Sequence, residues 1–134
     1  MKPKTLNLIA DGICVDSGMI LISNISYLKL NQEAQERLSK GKVFDVPNGT
    51  YKFNYSIPNT WNGSVKGDAT ITITKGKLVV IDPCYAIGRK SHQDWLAWLD
   101  KTNYGKNLED SSAYIIDSMG GDGCYKVKLT LKPV

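Results

Sequence analysis

Arginine is scarce in this chain, and its scarcity limits the partners that the chain can recognise. Of the 17 lysines and arginines only Arg37 and Arg89 are arginines, and the other 15 are lysines. An arginine guanidinium is a planar fork that reads guanine edges and grips phosphate at two atoms, whereas lysine offers only a point charge. We therefore expect no sequence-specific recognition of DNA.

Metal-ligating residues are equally few. The chain has one histidine, His92, and three cysteines, Cys14, Cys84 and Cys124, without C-x-x-C spacing. These residues would have to converge from distant segments to form a four-ligand site. We expect no metal and no cofactor.

Long apolar runs are absent as well. No stretch approaches the ~18 apolar residues of a membrane-spanning helix. The first residues, MKPKTLNLIADGICVDSGMIL, lack the apolar segment and the small-residue cleavage site of a signal peptide. An odd number of cysteines is not the pattern of a disulfide framework. The sequence predicts a reducing, cytoplasmic setting and no membrane partner.

The remaining composition is that of an ordinary globular domain. Hydrophobic residues make up 42% of the chain, and 17 basic against 13 acidic residues give a net charge of +4. The lysines are spread along the chain, so solvation of exposed strand faces explains them better than a phosphate-binding patch does. One domain over residues 1–134 buries roughly 65–70% of its unfolded surface, so its core needs neither disulfides nor a structural metal.

Most of the chain has the pattern of short strands. Thr70–Thr74 alternates, with Ile71 and Ile73 on one face, and Leu78–Ile81 is an apolar run typical of a central strand buried on both faces. Pro83 cannot donate to a ladder and ends that strand at Ile81 or Asp82. Further strands are predicted over Met19–Ile25, Val43–Val46, Thr50–Ile57, Ala113–Ile116 and Tyr125–Leu131. In the last of these, Val127, Leu129 and Leu131 point inward and alternate with outward lysines.

Turn-forming residues separate these strands. The Asn48-Gly49 step predicts a tight hairpin between Val43–Val46 and Thr50–Ile57. The turn formers in 56–68 predict a loop that carries Trp61. The glycine-rich segment 117–123 predicts a turn that closes a C-terminal hairpin.

Two segments have helical patterns. Asn31 is a good N-cap for a short helix over 32–40, and the spacing of Trp95, Trp98 and Leu99 predicts an amphipathic helix over 92–102 that covers the sheet. The elements lack the regular βαβ rhythm of a parallel sheet. We therefore expect a mainly β or α+β domain, an antiparallel sandwich or barrel-like sheet with one or two short covering helices.

The first candidate site is Asp82-Pro83-Cys84-Tyr85, at the predicted end of the buried strand. A rigid proline there would fix the directions of an acid, a thiol and a phenol, which suits a binding site. The alternative is structural: Pro83 ends the strand, Cys84 packs as a small hydrophobe and Tyr85 fills the mouth of the sheet.

The second candidate site is the run from Gly120 to Tyr125, GGDGCY. Its glycines would let successive backbone N–H groups form an anion-binding concavity, or they would simply supply positive φ angles to a turn. The run repeats the Asp-x-Cys-Tyr pattern of residues 82–85. If the two segments meet in space, Asp82, Cys84, Tyr85, Asp122 and Tyr125 would line one ligand pocket.

Three further residues complete the list of candidates. Cys84 with His92 would form a nucleophilic dyad, although a single histidine near a helix start is more often an ordinary surface residue. Trp61, set in a polar loop, is a candidate ligand contact. Lys66 follows it in the same loop and is a candidate contact for an anionic ligand.

Part of the chain carries a resemblance. ITKGKLVVIDPCY at 73–85, the Trp95 helix and GDGCYKV at 121–127 resemble a group of small uncharacterised proteins common in bacteriophage and some bacterial genomes. This chain departs from their pattern at Cys124 and Lys126. The resemblance implies a small β-rich phage-type domain that shares Asp82, Cys84, Tyr85, Asp122 and Tyr125, with no established reaction.

Three functions from different classes follow as hypotheses. The first is stoichiometric binding by a phage accessory protein that inhibits a host defence protein or sequesters a small nucleotide-like ligand, because no strong catalytic pattern is present. The second is a cysteine-dependent hydrolase or transferase that uses Cys84 and His92. The third is a virion structural or assembly module that associates through edge strands. The oligomeric state is left open.

Overall fold

Antiparallel strands make up most of the structure, a computed structural model that describes residues 4–25, 41–59, 63–83, 113–116 and 121–134. In these ranges the chain forms eight strands. They are β1 (Leu6–Val15), β2 (Ile20–Asn24), β3 (Lys42–Asp45), β4 (Gly49–Asn59), β5 (Gly63–Ile73), β6 (Lys77–Ile81), β7 (Ala113–Ile116) and β8 (Gly123–Pro133).

The strands form two four-stranded sheets that share one core. The first sheet has the order β1-β8-β4-β5 and the second the order β3-β6-β2-β7, with every pairing antiparallel. One apolar cluster takes side chains from both sheets, which confirms the mainly β, sandwich-like class. The two predicted helices, over 32–40 and 92–102, lie outside the described residues.

The first sheet alternates cleanly between a buried and a solvent-facing side. The inward side chains of β4 and β8 are almost fully buried, as predicted for β8. The intervening positions of both strands are mostly exposed polar residues. The inward residues of these strands are Tyr51, Phe53, Tyr55, Ile57, Tyr125, Val127, Leu129 and Leu131.

The two central strands of the second sheet are buried on both faces. Every residue of β2 is buried, and β6 is buried from Leu78 to Ile81, which confirms the prediction of a central strand there. Leu78 and Val80 belong to the shared core, while Val79 and Ile81 face the other side and are equally inaccessible. A strand with both faces covered gains nothing from polar residues, which explains the continuous apolar run.

The hairpin predicted at Asn48-Gly49 is wrong. β3 pairs with β6 in the second sheet, whereas β4 pairs with β5 and β8 in the first. The connection crosses from one sheet to the other: the Val46 N–H donates to the Gly76 carbonyl at 2.6 Å, and the Tyr51 hydroxyl donates to the Pro47 carbonyl at 2.8 Å. Burial raises the pKa of Tyr51, which keeps this hydroxyl a donor.

The long loop predicted over 56–68 is also wrong. β4 continues to Asn59 and β5 begins at Gly63, so the two strands form one long hairpin. Gly67 pairs with Tyr55, and a Cβ at Gly67 would overlap the Tyr55 ring. Gly67, one of the residues that predicted a turn here, thus makes room for an aromatic side chain on the neighbouring strand.

Two further sequence-based predictions, for the strands near the two ends of the chain, are wrong. The predicted C-terminal hairpin does not form, because β7 pairs with β2 in the second sheet and β8 with β1 and β4 in the first. In addition, β1 was not among the strands predicted from the sequence. Its alternation is interrupted at a β-bulge, where Asp11 and Gly12 both face the single position of Lys126.

Substitution of Gly76 tests the crossing between the two sheets. Its φ is +72°, and a Cβ there would lie 2.9 Å from the Val46 carbonyl oxygen, at the crossing between the sheets. Gly18 has nearly the same φ, +73°, but a Cβ there meets nothing within 4 Å. Because only the clash differs, Gly76→Ala should lower the free energy of unfolding by about 2–4 kcal/mol and Gly18→Ala by about 1 kcal/mol. Urea unfolding of both variants measures the difference, and equal losses would contradict the close approach at Val46.

Candidate functional site

Lysines gather on the solvent-facing side of the first sheet. We call this side the lysine face. Its described residues also include two aspartates, Asp11 and Asp68, and the side chains of Lys126 and Asp11 form an exposed ion pair at 3.8 Å. An exposed pair of this kind contributes little to stability. The lysines of the face are Lys52, Lys66, Lys126, Lys128 and Lys132.

A groove opens on this face where β8, β4 and β5 lie side by side. Its volume is about 350 Å³, within the usual range for small-molecule sites. Lys132, Lys52 and Thr70 form one row across the three strands, and Asn54 and Asp68 are paired in the next row. The full lining is Lys52, Asn54, Asp68, Ala69, Thr70 and Lys132.

The electrostatics of the groove are unusual for a sheet surface. Lys52 and Lys132 lie directly opposite each other on neighbouring strands, an arrangement of like charges that destabilises a sheet. Among the described residues, neither ammonium group forms an ion pair with a carboxylate. Two positive charges at one rung are therefore available to an anionic group, with the Asp68 carboxylate and the Asn54 amide beside them.

Asp82 has a structural role, in which it binds the turn between β1 and β2. Its side chain is fully buried, and its carboxylate accepts three hydrogen bonds from the turn that follows β1. The N–H groups of Asp16 and Ser17 donate to Oδ2 at 2.6 and 2.9 Å, and the Ser17 hydroxyl donates to Oδ1 at 2.7 Å. A buried carboxylate with this many donors fixes the turn between β1 and β2 against the end of β6.

The second Asp-x-Cys-Tyr segment meets the same end of β1. Cys124 lies opposite Cys14 and forms a disulfide with it, where the sequence analysis expected thiols. Tyr125 is buried, and its hydroxyl donates to the Gly121 carbonyl, at a residue whose φ is +115°. Asp122 is exposed. Asp82 and Tyr125 thus both lie near the end of β1, but their polar atoms form hydrogen bonds within the fold.

The other predicted site residues divide into two groups. Lys66 lies on the lysine face, in the row that also holds Ser56 and Lys128, and is exposed. Trp61, Cys84, Tyr85 and His92 lie outside the described residues, so the proposed dyad of Cys84 and His92 stays a prediction.

The residues that line the groove were not predicted from the sequence. The alternating lysines of β8 were visible, and so was their outward direction. Their proximity to Lys52 and Asp68 was not, because it depends on which strands flank β8 and in which register.

The described ranges contain no group of three or more His, Cys, Asp or Glu side chains placed to hold a metal ion. In the same ranges, no helix has the length and apolarity required to cross a membrane. The chain matches no protein-family model, no curated protein and no solved structure.

The role of Asp82 can be measured through stability. Asp82→Asn keeps the size of the side chain but replaces an acceptor oxygen with a donor that faces N–H or O–H groups. We expect it to lower the free energy of unfolding by about 2–4 kcal/mol, and Ser17→Ala, which removes one donor, by about 1 kcal/mol. Urea unfolding monitored by circular dichroism compares the two. An Asp82→Asn variant as stable as the wild type would show that the carboxylate does not hold the turn.

Proposed function

We propose that this protein acts by stoichiometric binding of a small, phosphate-bearing ligand of the nucleotide type, and that the groove on the lysine face is its site. The observation that carries the proposal is the direct cross-strand pairing of Lys52 with Lys132. Two adjacent ammonium groups repel each other until an anion bridges them, so an anionic ligand stabilises the arrangement.

The remaining lining suits the rest of such a ligand. Ammonium groups donate to phosphate oxygens as point charges, which does not require the fork of an arginine. The Asp68 carboxylate can accept from sugar hydroxyls or exocyclic amines, and the Asn54 amide can both donate and accept. Polar side chains thus make up most of the lining and offer a different partner to each part of a nucleotide.

The shape of the groove sets the expected affinity. It is open to solvent and its described lining includes no aromatic side chain on which a base would stack. A ligand there keeps much of its hydration and gains little apolar burial. We therefore expect a dissociation constant of about 1 μM to 1 mM for a simple nucleotide.

The biological setting is part of the same proposal. The resemblance of residues 73–127 to phage-type proteins supports a role as an accessory protein in the cytoplasm of a host cell, where capture of a signalling nucleotide would inhibit a defence response. A host protein that presents an acidic surface to the lysine face is the alternative partner.

Native mass spectrometry tests the proposal while the ligand is still unidentified. The protein purified from bacterial cells is weighed before and after denaturation. A released mass of nucleotide size supports the proposal, and its fragmentation identifies the ligand. If the purified protein is ligand-free, titration with inorganic pyrophosphate and with ATP follows, and the absence of binding to both would refute the proposal.

Charge-matched variants locate the site. Lys52→Gln/Lys132→Gln should weaken binding of ATP or pyrophosphate about tenfold or more, because both bridging cations are lost. Lys42→Gln/Lys77→Gln removes the same charge from exposed residues of the second sheet and should change the affinity less than about twofold. Isothermal titration calorimetry at low and moderate salt measures both. Equal losses in the two variants would mean that net charge alone, and not the groove, attracts the anion.

A further inference from the structure

The Cys14–Cys124 pair lies on the solvent-facing side of the first sheet, apart from the core. Without the bulge at Asp11 and Gly12, the alternation of β1 would turn Cys14 inward. With it, Ala10 and Ile13 both face the core and Cys14 faces out, directly opposite Cys124. The bulge therefore aligns the two sulfurs on an accessible face.

The two cysteines are close and reachable. Their Cα atoms are 4.0 Å apart. This separation is close to that of the non-hydrogen-bonded pairs of an antiparallel ladder, in which side chains approach each other most. Cys124 is exposed and Cys14 half-buried. A small thiol can approach the Cys124 sulfur from solvent without any opening of the sheet.

The reduced form also has a place in the fold. The Cys14 sulfur lies 3.7 Å from the Gly12 carbonyl oxygen. After reduction, the Cys14 thiol can therefore donate to this oxygen without moving. The neighbouring residues Ile13 and Val15 are fully buried in the core. Asp82 holds Asp16 and Ser17 just beyond them. The end of β1 is thus held by contacts that do not need the disulfide.

We propose that Cys14–Cys124 is a reversible redox clip, which small thiols open and disulfide oxidants close while the sandwich stays folded. In the opening step, a thiolate of the glutathione type attacks the Cys124 sulfur. The bond between the two cysteine sulfurs breaks and Cys14 leaves as a thiolate that takes up a proton. A second small thiolate then attacks the small-thiol sulfur of the mixed disulfide. The bond to Cys124 breaks, Cys124 leaves as a thiolate that takes up a proton, and the oxidised dimer of the small thiol is released.

The consequence is local. The clip joins positions 110 residues apart in sequence, so its closure limits the unfolded chain and raises stability. In the native state it secures the last three pairs of β1 with β8, which precede the turn bound by Asp82. Opening it should loosen this end of β1 and leave the groove, which β1 does not line, unchanged. The proposal is independent of the proposed ligand.

The first test is equilibration in glutathione buffers of different redox ratio, followed by alkylation and peptide mapping. We expect reversible conversion between two forms that differ by two labels, one on Cys14 and one on Cys124, with the same circular dichroism spectrum. Resistance to millimolar glutathione, failure to re-form the bond, or loss of the spectrum on reduction would each overturn the proposal.

The second test separates the clip from the other cysteine. Reduction of the wild type should lower the melting temperature by on the order of 10 °C and increase hydrogen exchange at the amides of Asp16 and Ser17. Cys14→Ser/Cys124→Ser should melt near the reduced wild type and show no redox dependence. Cys84→Ser should retain the full redox-dependent shift. A shift that disappears in Cys84→Ser, or persists in the double variant, would assign the effect to another pair of sulfurs.

Discussion

The register of β8 is the constraint on which the other features of this structure depend. β8 lies inside the first sheet, between β1 and β4. Its pairing with β4 places Lys132 opposite Lys52, and its pairing with β1 places Cys124 opposite Cys14. The inward residues of the same strand fill the shared core. A shift of one residue would turn the lysines inward and separate the sulfurs, so core burial fixes the register and the register fixes both outer sites.

The two sheets differ because their faces meet different surroundings. The first sheet exposes one face, so its strands alternate and leave half of their side chains free for ligand contacts. In the second, the central strands β2 and β6 are covered on both sides, and even the polar Asn24 of β2 is fully buried and donates to the Thr74 hydroxyl at 3.1 Å. In the described part of the chain, the first sheet thus presents a mostly polar face to solvent, whereas the exposed charged residues of the second lie on β3 and at the start of β6.

Local sequence patterns predicted most of the individual strands. They did not predict how the strands connect, because the strands pair with segments that are distant in sequence. The apolar run at Leu78–Ile81 and the alternation of Val127, Leu129 and Leu131 were sufficient to identify a central strand and a one-sided strand. The Asn48-Gly49 step was misleading because hairpin propensity is local, whereas the crossing to the other sheet is fixed by Val46 and Gly76, which are far apart in sequence. β1 was missed because its bulge interrupts the alternation.

The candidate site was not predictable from the sequence, which pointed to the two Asp-x-Cys-Tyr segments and attributed the lysines to solvation. Asp82 was singled out correctly as a residue fixed at a strand end, but its partners Asp16 and Ser17 come from another segment, and they engage both of its oxygens. Because both oxygens of Asp82 already accept hydrogen bonds within the fold, we expect ligand contacts in the described residues to come from side chains that point away from the core. On β4 and β8 these side chains are the outward ones. Lys52 and Lys132 can therefore be changed without a direct loss of core packing, so binding can be measured separately from folding.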